Sequence, residues 1–433
     1  MSKTKNYIFP LIIIGILFFV FGFITWVNGV LIPYFQICLE LTTFQALFVA
    51  FAAYLAYFFM AIPSAFVLKY TGYKKGMVIG LVIMAIGTLT FLPAAYSRTY
   101  FLFLSGLFVT GIGLALLQTA ANPYVAIIGP SESIAQRIGF MGVANKTAGI
   151  MSQRILGSIF LLNSDAIVAS ISTATPAEKA AILDEYVLKV VNPYIVITVV
   201  LLLLAVMIYF SNLPEINESG EKTEGSKGSG KTSIFQFPYL VLGVIALFMA
   251  GACEVIPIDA IIVYSRSMDI PMEEARHFAE YTLYAMLVGY VTSTIVIPRF
   301  ISQQNALAVC SVLGLAFAGG SYFSEGFTSV LFMILMGFGA AMLWGTIWGL
   351  ALQNLGSFTK MGSALLLMSV IGGGIFPLLF GSLIDNNPAW PQTAVLILVP
   401  CYAYLLYYAL AGHKIRDWNK GAKATPKADA VEL

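Results

Sequence analysis

The sequence predicts an all-α membrane protein of twelve transmembrane helices in two six-helix bundles, and three observations carry that expectation. Of 433 residues, 59% are hydrophobic and only 10% are charged, where a soluble domain needs about a quarter charged to stay wet. Apolar runs long enough to cross the roughly 30 Å hydrocarbon core recur along the whole chain, without the strict alternation of barrel strands. One long polar stretch, SNLPEINESGEKTEGSKGSGKTS, interrupts them midway.

The runs place spans near 8–35, 44–68, 76–95, 99–128, 138–163 and 193–211, then 234–264, 273–298, 305–323, 327–354, 362–384 and 391–411. The polar stretch, rich in Gly, Ser, Glu and Lys, has too little apolar surface to bury and reads as a flexible linker. It divides the chain into a first bundle (1–211), a cytoplasmic linker (212–233), a second bundle (234–411) and a cytoplasmic tail (412–433). The segment PAEKAAILDEYVLK, from Pro176 to Lys189, reads as a short amphipathic surface helix between the fifth and sixth spans.

Orientation follows from positive charge, because Lys- and Arg-rich loops stay in the cytoplasm. With the N-terminus inside, sixteen of the 23 Lys and Arg residues fall on the inner side and five on the outer. Both termini are then cytoplasmic, as an even number of spans requires. The first apolar run, Tyr7 to Pro33, is too long for a cleaved signal and has no small-residue cleavage site.

Composition also removes function classes. A cytosolic enzyme is excluded, and a net charge of +2 leaves no basic footprint for nucleic acid. Cys38, Cys253, Cys310 and Cys401 are scattered through apolar surroundings and read as core residues, with no disulfide frame or metal-ligand spacing. No cofactor or metal is expected. The glycine run in IGGGIFP, Ile371 to Pro377, lacks the Lys-Ser/Thr of a phosphate loop and reads as a tight packing and bending site.

Polar residues inside the spans are the candidate machinery, since an ionisable group in hydrocarbon costs roughly 2.5–3.5 kcal/mol unless it faces a cavity or a partner. The fifth span carries Lys146 and Arg154, the seventh Glu254 and Asp259, and the eighth Glu280. Glu254 stands just before Pro257, which breaks the helix ladder, and carriers use broken helices at mid-membrane to line their sites. Glu254 and Asp259 share a face only if Pro257 distorts the helix, and Asp259 falls either beside Glu254 or at the outer interface. Lys146 lies too deep to snorkel and needs an anion; Glu254 is its candidate partner. Structural pairing is the expectation for Arg154, while Glu280 and His277 are assigned to the outer end of the eighth span.

Neutral groups complete the list. Gln118 and Asn122 stand four apart on one helix face. Asn28 lies close to Thr25, Asn145 precedes Lys146, and Gln353 and Asn354 close the tenth span. Amides both donate and accept, which suits a ligand rich in hydroxyls. Trp344, and less so Trp348, could offer a flat face to a sugar ring.

The residues also carry a resemblance. TGYKKG (Thr71 to Gly76), with twelve spans and a central linker, resembles the Gly- and basic-rich loop of the major facilitator superfamily. NGVLIPYFQ (Asn28 to Gln36), LQTAANPY (Leu117 to Tyr124) followed by Gly129 and Pro130, and SALLLMSVIGGGI (Ser363 to Ile375) resemble the fucose–galactose–glucose symporter family. The resemblance implies Asn28, Gln118, Asn122 and Asn145 as sugar ligands. Fucose members carry an Asp where Gly29 stands and a Glu where Gln118 stands, so their two proton-coupling carboxylates are missing here. Gln118 matches the glucose/galactose variant, and NG with ANKTAG (Ala144 to Gly149) looks like the N-acetylglucosamine-permease branch.

These readings converge on a secondary active sugar importer of the inner membrane, working as a monomer in the lipid bilayer by alternating access. Its substrate is N-acetylglucosamine, or glucose or galactose, and a proton or sodium ion is coupled to it. Asn28, Gln118, Asn122, Asn145, Lys146, Glu254 and Trp344 are the candidate substrate site; Glu254 and Asp259 are the coupling candidates. A uniporter, a passive pore and a membrane enzyme on lipid-linked sugar are the rivals. A pore needs a continuous polar path, and an enzyme of this kind needs paired carboxylates or a histidine cluster that two histidines, His277 and His413, do not provide.

Overall fold

The computed structural model describes residues 8–127, 134–211, 213, 232–297 and 299–418. Among them, the first six spans are α1 (Ile8–Thr25) with α2 (Asn28–Cys38); α3 (Thr43–Ala46), α4 (Phe48–Met60) and α5 (Pro63–Thr71); α6 (Tyr73–Leu89) with α7 (Phe91–Ser97); α8 (Tyr100–Ile127); α9 (Ile134–Phe160); and, after α10 (Ser164–Thr173) and α11 (Pro176–Val187), α12 (Val191–Phe210). The second six are α13 (Pro238–Val255), continued through a π turn (Ile256–Ala260) into α14 (Ile261–Arg266); α15 (Met272–Ala275) with α16 (Phe278–Val296); α17 (Gln303–Phe323); α18 (Gly326–Ala351); α19 (Thr359–Ser369) with α20 (Gly372–Asn386); and α21 (Leu398–Leu410) after a 3₁₀ turn (Pro391–Ile397). Most of the linker, Gly129, Pro130 and all of the tail beyond Trp418 lie outside the described residues.

Eleven of these spans are long and apolar enough to cross a membrane. The twelfth, α16, is more polar, with Glu280, three tyrosines (Tyr281, Tyr284 and Tyr290) and the run Thr292, Ser293, Thr294. It packs against α9 of the other bundle, so part of its polarity is spent at an interface. On α12 the opposite holds: Val196, Val199, Leu203 and Val206 are exposed, an outward aliphatic face that lipid would cover.

The amphipathic segment forms α11 as expected, opened by a capping box in which Thr175 and Glu178 satisfy each other's backbone N–H groups. The four cysteines are buried and unbridged. The glycine run packs tightly. A Cβ on Gly372 would meet the Phe248 carbonyl oxygen at 2.0 Å, and one on Gly374 would meet Phe51 Cα at 3.0 Å, so α20 lies against α13 on one side and α4 of the other bundle on the other.

Side-chain ties fix the two ends of the molecule. At one end Lys74 donates to the Ser211 carbonyl, 2.6 Å, and Trp418 Nε1 to the Phe235 carbonyl, 2.7 Å. This end carries the lysine-rich loops and is called the inner end. At the outer end Arg98 pairs with Asp184 at 3.2 Å and with Glu40, which also pairs with Lys179.

Candidate functional site

Two spans break at the same depth. The first turns at Trp26 and Val27, between α1 and α2. The seventh passes into its π turn around Pro257, which has no N–H for the ladder. A π turn closes i→i+5, so Glu254 and Asp259, five apart, come to one side. The α2 segment packs directly on the π turn, joining the bundles there.

Lys146 and Glu254 form an ion pair across this junction, Nζ to Oε1 3.1 Å, with 4% and 7% of the side chains exposed. Lys146 is twelve residues into α9 and Glu254 sixteen into α13, depths of about 18 and 24 Å from the inner end. The ammonium sits 3.7 Å from the Trp26 ring centroid and 5.6 Å from that of Tyr290, which adds cation–π attraction in a dry setting. Trp26 is held in turn by its Nε1 donating to Asn145 Oδ1, 3.0 Å, and Asn145 donates to the Phe18 carbonyl at 3.4 Å.

Asp259 is buried inside the protein, 1% exposed. It lies near Glu254 and Lys146 and beside Asn28, yet neither carboxylate oxygen has a hydrogen-bond partner. Tyr54 of α4 completes the surroundings. Gln153, also buried, donates its Nε2 to the Trp26 carbonyl and leaves Oε1 without a partner. Gly29 is wedged here: a Cβ would meet Gln153 Nε2 at 2.8 Å and the Ile258 carbonyl oxygen at 3.0 Å. The missing carboxylate at this position therefore leaves no room for a larger ligand.

Gln118 is half-buried and Asn122 exposed on the inner half of α8. Trp344 is half-buried on α18, its Nε1 without an acceptor. Arg154 pairs with Glu280 at 3.0 Å, and His277 Nδ1 lies 3.4 Å from the same carboxylate, which makes Glu280 a bundle-to-bundle contact. Gln353 accepts from Tyr239 and Arg416 and is a structural tie. Tyr54, Gln153 and Tyr290 were not anticipated; each is a neutral residue whose part depends on the helix opposite.

The bundles are tied at their outer ends. Asp385 of α20 accepts from the backbone N–H groups of Thr43 (3.1 Å) and Phe44 (2.8 Å), capping α3 from the other bundle. Asp165 pairs with Arg266 at 3.0 Å and accepts from Met272 N at 2.7 Å.

Two six-helix membrane bundles joined by a buried, charged layer between broken helices define the architecture of a secondary carrier. The chain belongs to the Major Facilitator Superfamily, whose profile matches residues 14–377. It is 32% identical over 417 residues to a glucose/galactose transporter of Brucella abortus, covering 95% of this chain and 96% of that one. It is 31% identical over 418 residues to the L-fucose-proton symporter of Escherichia coli, 94% of each. These relatives put it in the fucose–galactose–glucose branch. The Escherichia coli fucose:proton symporter in its outward conformation superposes with a TM-score of 0.71 at 29% identity, over 94% of this chain and 99% of that one. A D-xylose-proton symporter, at 13% identity and TM-score 0.69 over 94% and 99%, shares the fold.

Proposed function

We propose that this protein imports a neutral hexose across the inner membrane, with a cation, by alternating access. The observation that carries the reading is the buried Lys146–Glu254 pair linking the bundles beside an unpartnered Asp259. Such a layer is costly to bury, and a carrier has a use for it: charge that changes partners as the bundles rock. The two bodies are residues 1–211 and 234–411, each contributing one wall, so a monomer suffices. Both termini are cytoplasmic on the charge bias of the loops.

Gln118, Asn122, Asn145 and Lys146 from the first bundle, with Glu254 and Trp344 from the second, form the sugar-facing set, and Asn28 lies at its outer limit beside Asp259. Glucose or galactose is the substrate class favoured by the named relatives and by Gln118. N-acetylglucosamine is supported by the NG and ANKTAG resemblance alone, since the space beside Gly29 is filled. Counterflow of labelled glucose in proteoliposomes, competed by galactose and N-acetylglucosamine, tests the reading. Saturable exchange competed by galactose is expected. Exchange blocked only by N-acetylglucosamine would move the substrate to the acetylated sugar, and no exchange with any of them would remove the sugar reading.

A further inference from the structure

We propose that Asp259, Asn28 and Gln153 bind a sodium ion where the breaks of the first and seventh spans meet. The proposal rests on the reading of a cation-coupled carrier and names its ion.

Charge comes first. Lys146 and Glu254 neutralise each other at 3.1 Å, which leaves Asp259 as the uncompensated charge, 1% exposed. A bare carboxylate at this depth demands either a proton or a cation.

The surrounding acceptors decide between them. Asp259 Oδ1 and Oδ2 and Gln153 Oε1 are all buried without partners. Gln153 cannot turn its amide over to relieve this, because Nε2 is engaged by the Trp26 carbonyl and a flip would set oxygen against oxygen. A proton on Asp259 supplies a single donor, and Asn28, lying beside the carboxylate, can offer an N–H to one further oxygen. Gln153 Oε1 still goes unmet, and a buried acceptor without a partner is strongly disfavoured. A hard monovalent ion meets several oxygens at once and brings the one charge that Asp259 needs.

The backbone supports the assignment. Broken membrane helices coordinate ions through carbonyls that regular helices keep occupied. Gly29 has no Cβ where one would stand 2.8 Å from Gln153 Nε2 and 3.0 Å from the Ile258 oxygen, so both reach into the same narrow space. Among the described residues no three His, Cys, Asp or Glu converge as a transition metal requires; one carboxylate with amide and carbonyl oxygens is an alkali-ion donor set. Sodium, held low inside cells, also flows in the direction an importer needs.

The test is the thermal unfolding midpoint of the purified full-length protein in sodium, potassium and choline chloride at equal ionic strength, with and without glucose. Sodium is expected to raise the midpoint by about 2 °C or more over choline, and potassium to leave it unchanged. Asp259→Asn, which removes a buried charge and should fold, and Gln153→Leu are both expected to erase the sodium increment. Equal midpoints in all three salts, or a sodium increment that survives Asp259→Asn, overturns the ion site. The glucose shift reports on the sugar reading separately: if it persists without a sodium increment, only the ion site is lost, and a sodium increment without it leaves the ion site standing.

Discussion

Lys146 Nζ lies 3.1 Å from Glu254 Oε1, each side chain almost wholly buried and each carried by a different bundle. Removing one partner of such a pair strands the other charge in hydrocarbon, at a cost of about 3–5 kcal/mol, whereas replacing both with apolar residues of similar volume is close to neutral. Lys146→Met should therefore lower the unfolding midpoint sharply, Glu254→Gln should lower it less because the Asp259 carboxylate remains near Lys146, and Lys146→Met/Glu254→Met should recover most of the Lys146→Met loss. Additive losses in the double variant would mean that the two groups do not depend on one another.

Gln118 and Asn122 make a different prediction, because among the described residues neither amide is held by another side chain, and one is half-buried and the other exposed. Gln118→Ala and Asn122→Ala should weaken sugar binding several-fold, in line with about 1–3 kcal/mol for a lost buried partner, and leave the midpoint unchanged without sugar. Titration calorimetry on both variants checks this; wild-type affinity in each would take α8 out of the site.

At the outer end, Asp385 caps α3 across the bundle boundary with both carboxylate oxygens. Losing a cap costs about 0.5–2 kcal/mol, and here the loss falls on one conformation only, the one closed outside. Asp385→Ala should shift the population toward outward-open molecules. Spin labels on Ser172→Cys and Asn387→Cys, both exposed, would report longer distances in the variant, and the buried native cysteines would stay unlabelled. An unchanged distance distribution would reduce the contact to a local tie.

Gly29 yields a steric prediction. Gly29→Ala puts a methyl group within 3.0 Å of both Gln153 Nε2 and the Ile258 oxygen, so it should destabilise by about 1–3 kcal/mol as overpacking does. Gly29→Asp should not recreate a fucose-type carboxylate, since the space is taken. A variant with normal stability and new fucose uptake would contradict this.

Much of the fold was legible because hydrophobic runs and the polar linker are one-dimensional signals. The pairing of Lys146 with Glu254 was legible for a related reason: ions at mid-depth are scarce, and each needs a partner. Pro257 announced the break that brings Glu254 and Asp259 together. Gln153, Tyr54 and Tyr290 were hidden because a neutral residue within an apolar span takes its meaning from the opposing helix. The same holds for Glu280, whose tie to Arg154 exists only because α9 packs on α16, and for Gly29, whose close neighbours Gln153 and Ile258 come from other helices.

Gradient-driven uptake measured beside counterflow in the same proteoliposomes tests most directly for a hexose carrier whose coupling charge is Asp259. Wild-type protein should accumulate labelled glucose against its gradient and also exchange it. Asp259→Asn should lose accumulation and keep exchange, because exchange moves no net charge, while Glu254→Gln, which removes the ion-pair partner that joins Lys146 to the second bundle, should lose both. Accumulation that survives in Asp259→Asn, or wild-type protein that neither accumulates nor exchanges the sugar, would contradict the account.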